Sequence, residues 1–266
     1  MKYFNDYKFL WKHFRSTQSQ YFEINSISNI IENLDVKSIM DIGCGNGDLF
    51  NNLQKLKTIG IDTSVEVLDN CKADVKLVSS LPLLENVKEK ADIVTCIQVM
   101  EHIPRKLHKA SLKSINSRTN KYCLIASPFL QNLRNACVKC PNCGTVFQCE
   151  GHIFSFNYFN LLHFQKYLGK LKYLYFWGVP RRFGNITSTL INHYDLFKTN
   201  INQRIFNRYK CTPPFTKCPE CNYKMFYDYE NYKNKDVDNE HSLLIWDYSK
   251  EKRISRHFIA IYEKGI

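Results

Sequence analysis

The chain has 266 residues, 44% hydrophobic and 23% charged, with 10 glycines and 8 prolines. That composition fits one large α/β domain with an elaboration, or two small domains, and excludes disorder, collagen-like repeats and a peptide scaffold. The 37 basic and 25 acidic residues give a formal charge of +12, a field that attracts phosphates, nucleotides or nucleic acid.

The basic residues are nevertheless scattered, as at Lys55, Lys57, Lys106, Lys109, Lys113, Lys121, Lys166 and Lys250. Without a polybasic block or a basic-aromatic ladder, a nucleic-acid partner is open but not favoured. No stretch approaches the roughly 20 apolar residues of a membrane span, and the opening Met1 to Asp6 lacks the apolar run of a signal peptide. The expected location is the cytoplasm, with no membrane span.

Along the chain, residues 1–35 carry apolar groups at helical spacing, from Phe4, Tyr7 and Phe14 to Ile27, Ile31 and Leu34. Short apolar runs then alternate with helical patterns. Ser38 to Ile42, Thr58 to Ile61, Val75 to Val78, Ala91 to Ile97 and Tyr122 to Ala126 are predicted strands, while Asp48 to Leu56, Val65 to Cys71 and Arg105 to Ile115 are predicted helices. This alternation predicts an α/β fold with a mostly parallel sheet covered on both faces. Pro104 suits an early helical position. The rhythm changes after Ala126, which sets the expected boundaries: N-terminal helices 1–35, core 36–135, a first Cys-bearing insertion 136–155, core again 156–179, a second insertion or cap 180–250, and a final core strand 251–266. Within these, Phe156 to Leu168 reads as a helix, Tyr173 to Gly178 and Phe258 to Tyr262 as strands, and the polar stretch Tyr227 to Glu240 as a mobile loop.

Asp41-Ile42-Gly43-Cys44-Gly45-Asn46-Gly47 joins a predicted strand to a predicted helix. Glycines let the backbone turn tightly beside a ligand, and free N–H groups at a helix start attract negative charge. A dinucleotide fingerprint needs glycine at position 48, where Asp48 stands, and a carboxylate there opposes a pyrophosphate. NAD is therefore disfavoured, and no Gly-Lys-Ser or Gly-Lys-Thr of a Walker loop follows. Asp62, ending the next strand in Gly60-Ile61-Asp62-Thr63-Ser64, offers a carboxylate that accepts hydrogen bonds from both hydroxyls of a ribose.

Eleven cysteines are expected to be reduced thiols. Cys44, Cys71, Cys96 and Cys123 sit in apolar surroundings, whereas Cys140-Pro-Asn-Cys143 and Cys218-Pro-Glu-Cys221 repeat one spacing that lets two thiolates share a tetrahedral metal. The leading expectation is a structural zinc held by Cys140, Cys143, Cys218 and Cys221, stapling two insertions over one edge of the sheet. A redox pair is the alternative use, and Cys137, Cys149, His152 and Cys211 are substitute ligands.

The Asp41–Gly47 motif followed by Asp62 resembles the class I S-adenosylmethionine-dependent methyltransferases, whose first motif reads D-x-G-x-G-x-G. The resemblance implies a Rossmann-like, seven-stranded methyltransferase sheet, mostly parallel with the last strand antiparallel. It implies S-adenosylmethionine as cofactor, with Asp41, Gly43, Gly45 and Gly47 around its methionine part and ribose, and Asp62 and Thr63 on the ribose. Ser79, Ser80 and Leu81 would flank adenine, Ser79 standing where many relatives carry Asp. Ala91 to Pro104, with Gln98 and Glu101-His102, looks like the family's fourth motif, which implies Gln98 among the cofactor-binding residues. For a hydroxyl acceptor His102 is the first candidate base, or else it orients the loop. His152, in an element resembling G-H-x-x-x-F, is the reserve or positions the acceptor, or caps a helix. Arg181 and Arg182 are expected to pair with a phosphate, or to be solvated.

The expected acceptor is a small, anionic metabolite methylated on oxygen, phosphorylated or nucleotide-activated, such as a sugar or phosphoryl precursor of a surface or capsular polysaccharide. One alternative is an RNA methyltransferase. RNA terminal-ribose methyltransferases carry E-x-x-E-H in the fourth motif to bind a metal, and the neutral Gln98 weakens that reading. The second alternative is a non-catalytic zinc-containing binding module.

Overall fold

A computed structural model describes residues 18–84, 86–131, 133, 137–178, 181–182, 215–226, 244–245, 253–254 and 257–265. The helical pattern before residue 18, Cys211 and the polar stretch Tyr227 to Glu240 lie outside the described residues.

The chain enters the fold through α1 (Gln18–Glu32), and the core strands follow as β1 (Ser38–Ile42), β2 (Lys57–Asp62), β3 (Val75–Val78), β4 (Ala91–Ile97) and β5 (Thr119–Pro128), with α2 (Val65–Asp69) and α3 (Arg105–Arg118) between them. A short hairpin, β6 (Cys137–Lys139) and β7 (Val146–Gln148), precedes α4 (Tyr158–Leu168) and β8 (Lys170–Trp177). Then come the short strands β9 (Arg181–Arg182), β10 (Phe215–Lys217), β11 (Lys224–Phe226), β12 (Leu244–Ile245) and β13 (Arg253–Ile254), and β14 (His257–Glu263) ends the series.

One sheet has the order β12-β8-β14-β5-β4-β1-β2-β3. Strands β1 to β5 pair in parallel, and β14 runs antiparallel between β5 and β8. This is the expected mostly parallel, Rossmann-like methyltransferase sheet. It carries an eighth, two-residue edge strand, β12, supplied by the stretch the sequence marks as insertion.

The order reverses at β1 and β4, so the crevice of the parallel sheet opens at the carboxyl ends of those two strands. Alternation along β14 shows how the core is divided: Phe258, Ala260 and Tyr262 join the cluster of α3 and α4, while Ile259 and Ile261 join that of α1 and the segment after β1. α4 starts on a reciprocal cap between Asn157 and Asn160. Pro104 falls one position before α3 rather than inside it.

The predicted helix Asp48 to Leu56 is instead a 3-10 turn, Asp48–Asn52. Phe50, Leu53 and Leu56 each donate N–H to the residue three before it, and that tight spacing brings Leu49, Phe50 and Leu53 together against the sheet. No helix among the described residues is long and apolar enough to cross a membrane.

The fully buried Tyr262 hydroxyl donates to Leu161 O at 3.0 Å, tying β14 to α4. Tyr262→Phe keeps the ring and removes that bond. It should cost about 1–2 kcal/mol in urea unfolding, and unchanged stability would contradict the role given to this bond.

Candidate active site

The glycine loop leaves β1 with Gly43 at φ +78° and Gly47 at φ +77°. A side chain at Gly43 would collide with Val99, and one at Gly47 would come within 2.7 Å of Cys71 Sγ, so strain and crowding together require glycine. The sequence led us to expect free amides here. The structure instead binds them to the chain's own acceptors. Gly43 N and Cys44 N both donate to Ile61 O (2.7 and 3.0 Å), Gly47 N to Cys44 O, and Gly45 N to Asp62 Oδ2 at 3.0 Å. The loop also opens into a five-residue 3-10 turn, too short for an appreciable helix dipole. It is therefore poorly built to cradle phosphate.

Acceptors dominate what remains. Asp62 is half-buried at the end of β2, and its Oδ1 also accepts from Ser64 N at 3.0 Å. Thr63 beside it is exposed, with Oγ1 3.5 Å from Asp62 Oδ1. Ser79 N donates to Asp62 O, and its hydroxyl donates to Leu83 O at 2.7 Å, closing the turn that carries half-buried Ser80 and buried Leu81. Beneath the loop, Asp41 is 4% exposed and accepts from Thr95 Oγ1 at 2.7 Å. Burial pushes its carboxyl up from 3.8 to about 7, with the Thr95 bond pulling the other way.

The carboxyl end of β4 supplies a second group. Gln98 holds a strained φ of +54°, and its Nε2 donates to Glu23 Oε1 of α1 at 2.9 Å and lies 3.3 Å from His257 Nδ1. Glu23, absent from the sequence candidates, is lifted to about 7 by burial, partly offset by the Gln98 bond. The side chain of residue 98 thus contacts α1 and β14.

Glu101 and His102 follow in a 3-10 turn, Met100–His102. The turn is clamped by the insertion, because Ile153 N and Phe154 N both donate to Glu101 O. That clamp brings His152 to His102, with ring centroids 4.8 Å apart in an edge-on arrangement. Burial holds both imidazoles neutral, His102 at about 3 with His152 adding to the effect, and His152 at about 4. Glu101 is lifted by burial to about 8. Its partnership with His152 left no sequence signal, since the contact depends on an insertion folding back over some fifty positions.

The cysteine units form two matching knuckles, one on the β6–β7 hairpin and one on β10–β11. In each, the first Cys accepts from the residue after the second (Gly144 N to Cys140 O, Asn222 N to Cys218 O), and that residue has φ of +76° or +62°. Sγ atoms of Cys140 and Cys221 are 3.5 Å apart, those of Cys143 and Cys218 3.6 Å, and all four lie within 4.8 Å of one another. Cys137 is not with them, its Sγ lying 3.2 Å from Leu133 O, and His152 belongs to the other group. The backbone of Arg181 and Arg182 pairs with β13, and their side chains lie outside the described residues.

Because native Asp41 keeps its proton up to about pH 7 while the unfolded residue loses it near 3.8, the native state binds more protons in that window and stability falls as pH rises through it. Asp41→Asn should remove this slope. Between about pH 5 and about pH 8, wild-type Tm should drop more than that of the variant. A Tm difference independent of pH would contradict the raised pKa.

The sequence matches the family described as Methyltransferase domain over residues 14–189. A search of the curated proteins gives no match. Among solved structures, the chain is similar to an S-adenosylmethionine-dependent methyltransferase from Archaeoglobus fulgidus, with a TM-score of 0.53, 16% identity, and 97% of this chain and 100% of that one covered. It is also similar to the methyltransferase domain of bacterial CtHen1 (TM-score 0.48, 12% identity, 92% and 99% covered). A third is the magnesium protoporphyrin IX methyltransferase of Synechocystis PCC 6803 (TM-score 0.37, 19% identity, 42% and 57% covered). The first supports the fold, and the family match spans most of the chain. The glycine loop, the acid ending β2 and the sheet order thus find their common explanation: the chain belongs to the methyltransferase-domain family and is a class I S-adenosylmethionine-dependent methyltransferase.

Proposed function

We propose that the protein acts in the cytoplasm on a small anionic metabolite, phosphorylated or nucleotide-activated, moving the methyl group of S-adenosylmethionine to one of its oxygens. A sugar or phosphoryl precursor of a surface polysaccharide is the acceptor class we favour. The observation that carries the cofactor assignment is the acceptor-rich loop. The amides of Gly43, Cys44, Gly45 and Gly47 are bonded within the chain, so the acceptors of this edge, the Asp62 carboxylate above all, match ribose hydroxyls and a cationic sulfonium and ammonium better than a pyrophosphate. Asp62 and Thr63 take the ribose in this reading, Gly43, Gly45 and Gly47 flank the methionine part over Asp41, and Ser79, Ser80 and Leu81 line the adenine side. Gln98 closes the cofactor pocket through its bond to Glu23.

The bound cofactor supplies an electrophilic methyl. The chain's own residues orient the acceptor for in-line attack. His102 and His152 are assigned to the acceptor side because they sit where the insertion meets the end of β4. Arg181 and Arg182, just after β8, are assigned to an acceptor phosphate.

Asp62→Ala removes the ribose acceptor, and a hydrogen bond to a charged group contributes about 1.5–3 kcal/mol. Calorimetric affinity for S-adenosylmethionine should fall at least about tenfold, and unchanged affinity would sink the assignment.

We also assign one structural zinc to Cys140, Cys143, Cys218 and Cys221. Four thiolates at about 2.3 Å from a tetrahedral ion stand about 3.8 Å apart, close to the 3.5 and 3.6 Å that separate sulfurs of one knuckle from those of the other. Four sulfur ligands leave no open coordination position, so the ion's role is to join the insertions. Elemental analysis of protein prepared without chelator should give one zinc per chain. Full retention in a Cys140→Ser/Cys218→Ser double variant would refute the site.

A further inference from the structure

We propose that Glu101, His102 and His152 hold a second, divalent transition-metal ion, which binds the acceptor oxygen. The inference rests on the methyl-transfer reading for its role, but the site itself stands on independent geometry. One ligand atom from each residue lies within 4.8 Å of the other two, close to the separation of at most about 4.4 Å between two ligands at about 2.0–2.2 Å from one ion.

Each of the three side chains is anchored through one atom. Glu101 is 0% exposed, and its Oε2 accepts from Ser127 Oγ at 2.8 Å, while Oε1 is buried with no hydrogen-bond partner. Leaving a carboxylate oxygen dry and unpartnered is costly, and a cation is the natural partner for it. His102 Nδ1 lies 3.1 Å from Gly151 O. A carbonyl only accepts, so Nδ1 carries the proton and Nε2 the lone pair. His152 repeats the arrangement, with Nδ1 2.7 Å from Gln131 Oε1. The Gln131 amide is itself oriented by donating Nε2 to Glu150 Oε2 at 3.3 Å, and Gln148 fixes the same carboxylate from Nε2 at 2.9 Å. An imidazole whose far N–H is held by a carbonyl is the outer support usual for metal-bound histidine.

Two imidazoles and one carboxylate favour a first-row transition ion over magnesium or calcium, and three protein ligands leave positions open for substrate. Gln98 plays no part, since its side chain is bonded to Glu23. The sequence motif alone gave the weaker site because it counted residue 98 and lacked His152. The ion would lie beside the cofactor loop, whose Gly43 packs against Val99, three positions before His102.

A hydroxyl bound to such an ion loses its proton to solvent more readily. The oxygen then forms its bond to the methyl carbon as the carbon–sulfur bond breaks and its electron pair returns to sulfur. The products are the methylated acceptor, S-adenosylhomocysteine and one proton.

The test uses the full chain with its cysteine site zinc-loaded, titrated with Mn(II) and followed by electron paramagnetic resonance. One Mn(II) should bind per chain, with nitrogen couplings from two imidazoles in the pulsed spectrum of the wild-type protein. Glu101→Gln and His152→Gln should each weaken binding at least about tenfold, while calorimetric affinity for S-adenosylhomocysteine is retained. Absence of bound Mn(II), a spectrum without imidazole nitrogen, or wild-type Mn(II) affinity in a folded Glu101→Gln protein would overturn the site. Failure of S-adenosylhomocysteine to bind a protein that does take up Mn(II) would sink the methyltransferase reading instead.

Discussion

The active-site edge depends on one attachment: the loop after β1 is bonded to the end of β2 through Ile61 O and the Asp62 carboxylate. That attachment consumes three amides, those of Gly43, Cys44 and Gly45, which in a phosphate-binding loop would face the ligand. It therefore decides the chemistry of the edge. With those amides bonded and the Asp62 carboxylate half-buried at the end of β2, the edge suits a ligand bearing positive charge and hydroxyl donors better than a phosphate. The same bonds hold the left-handed turns at Gly43 and Gly47 against Val99, Cys71 and Phe50, where no side chain fits. Loop shape and ligand preference thus have one cause.

The second determinant is the Glu101 carbonyl. By accepting from Ile153 and Phe154 it pulls the segment after the first cysteine hairpin onto the end of β4. The insertion thereby reaches the sheet edge where we place the acceptor. This clamp, with the His102–Gly151 O bond, brings His152 to His102, and Gln131, Gln148 and Glu150 then hold His152 in place. A zinc joining the two knuckles would stiffen the hairpin from which that segment departs.

Much of this was legible in the sequence, for identifiable reasons. The core strands announce themselves because β1, β2 and β4 are buried on both faces and read as continuous apolar runs. The glycine loop and Asp62 are adjacent in space because β1 and β2 are neighbours with a short connection. The paired cysteine spacing pointed to its partner across 75 positions because both units use the same turn. Other features were hidden. The 3-10 turn at Asp48–Asn52 shares its apolar spacing with a helix and differs only in tightness. Nothing local marks Glu23 as a partner of Gln98, or Glu101 as a partner of His152. Those contacts come from the packing of α1 and from a carbonyl, which every residue carries. The orientation of the loop amides is likewise set by strand neighbours, so the expectation of free donors gave way to tertiary bonding.

The central claim is that this edge recognises S-adenosylmethionine by acceptors rather than by a phosphate-binding loop. Its most direct test is a pair of calorimetric titrations of one preparation, with S-adenosylhomocysteine and with NAD. The expected result is saturable, one-to-one binding of S-adenosylhomocysteine, and no NAD heat at concentrations where the first ligand is saturating. Binding of NAD equal to or tighter than that of S-adenosylhomocysteine would contradict it.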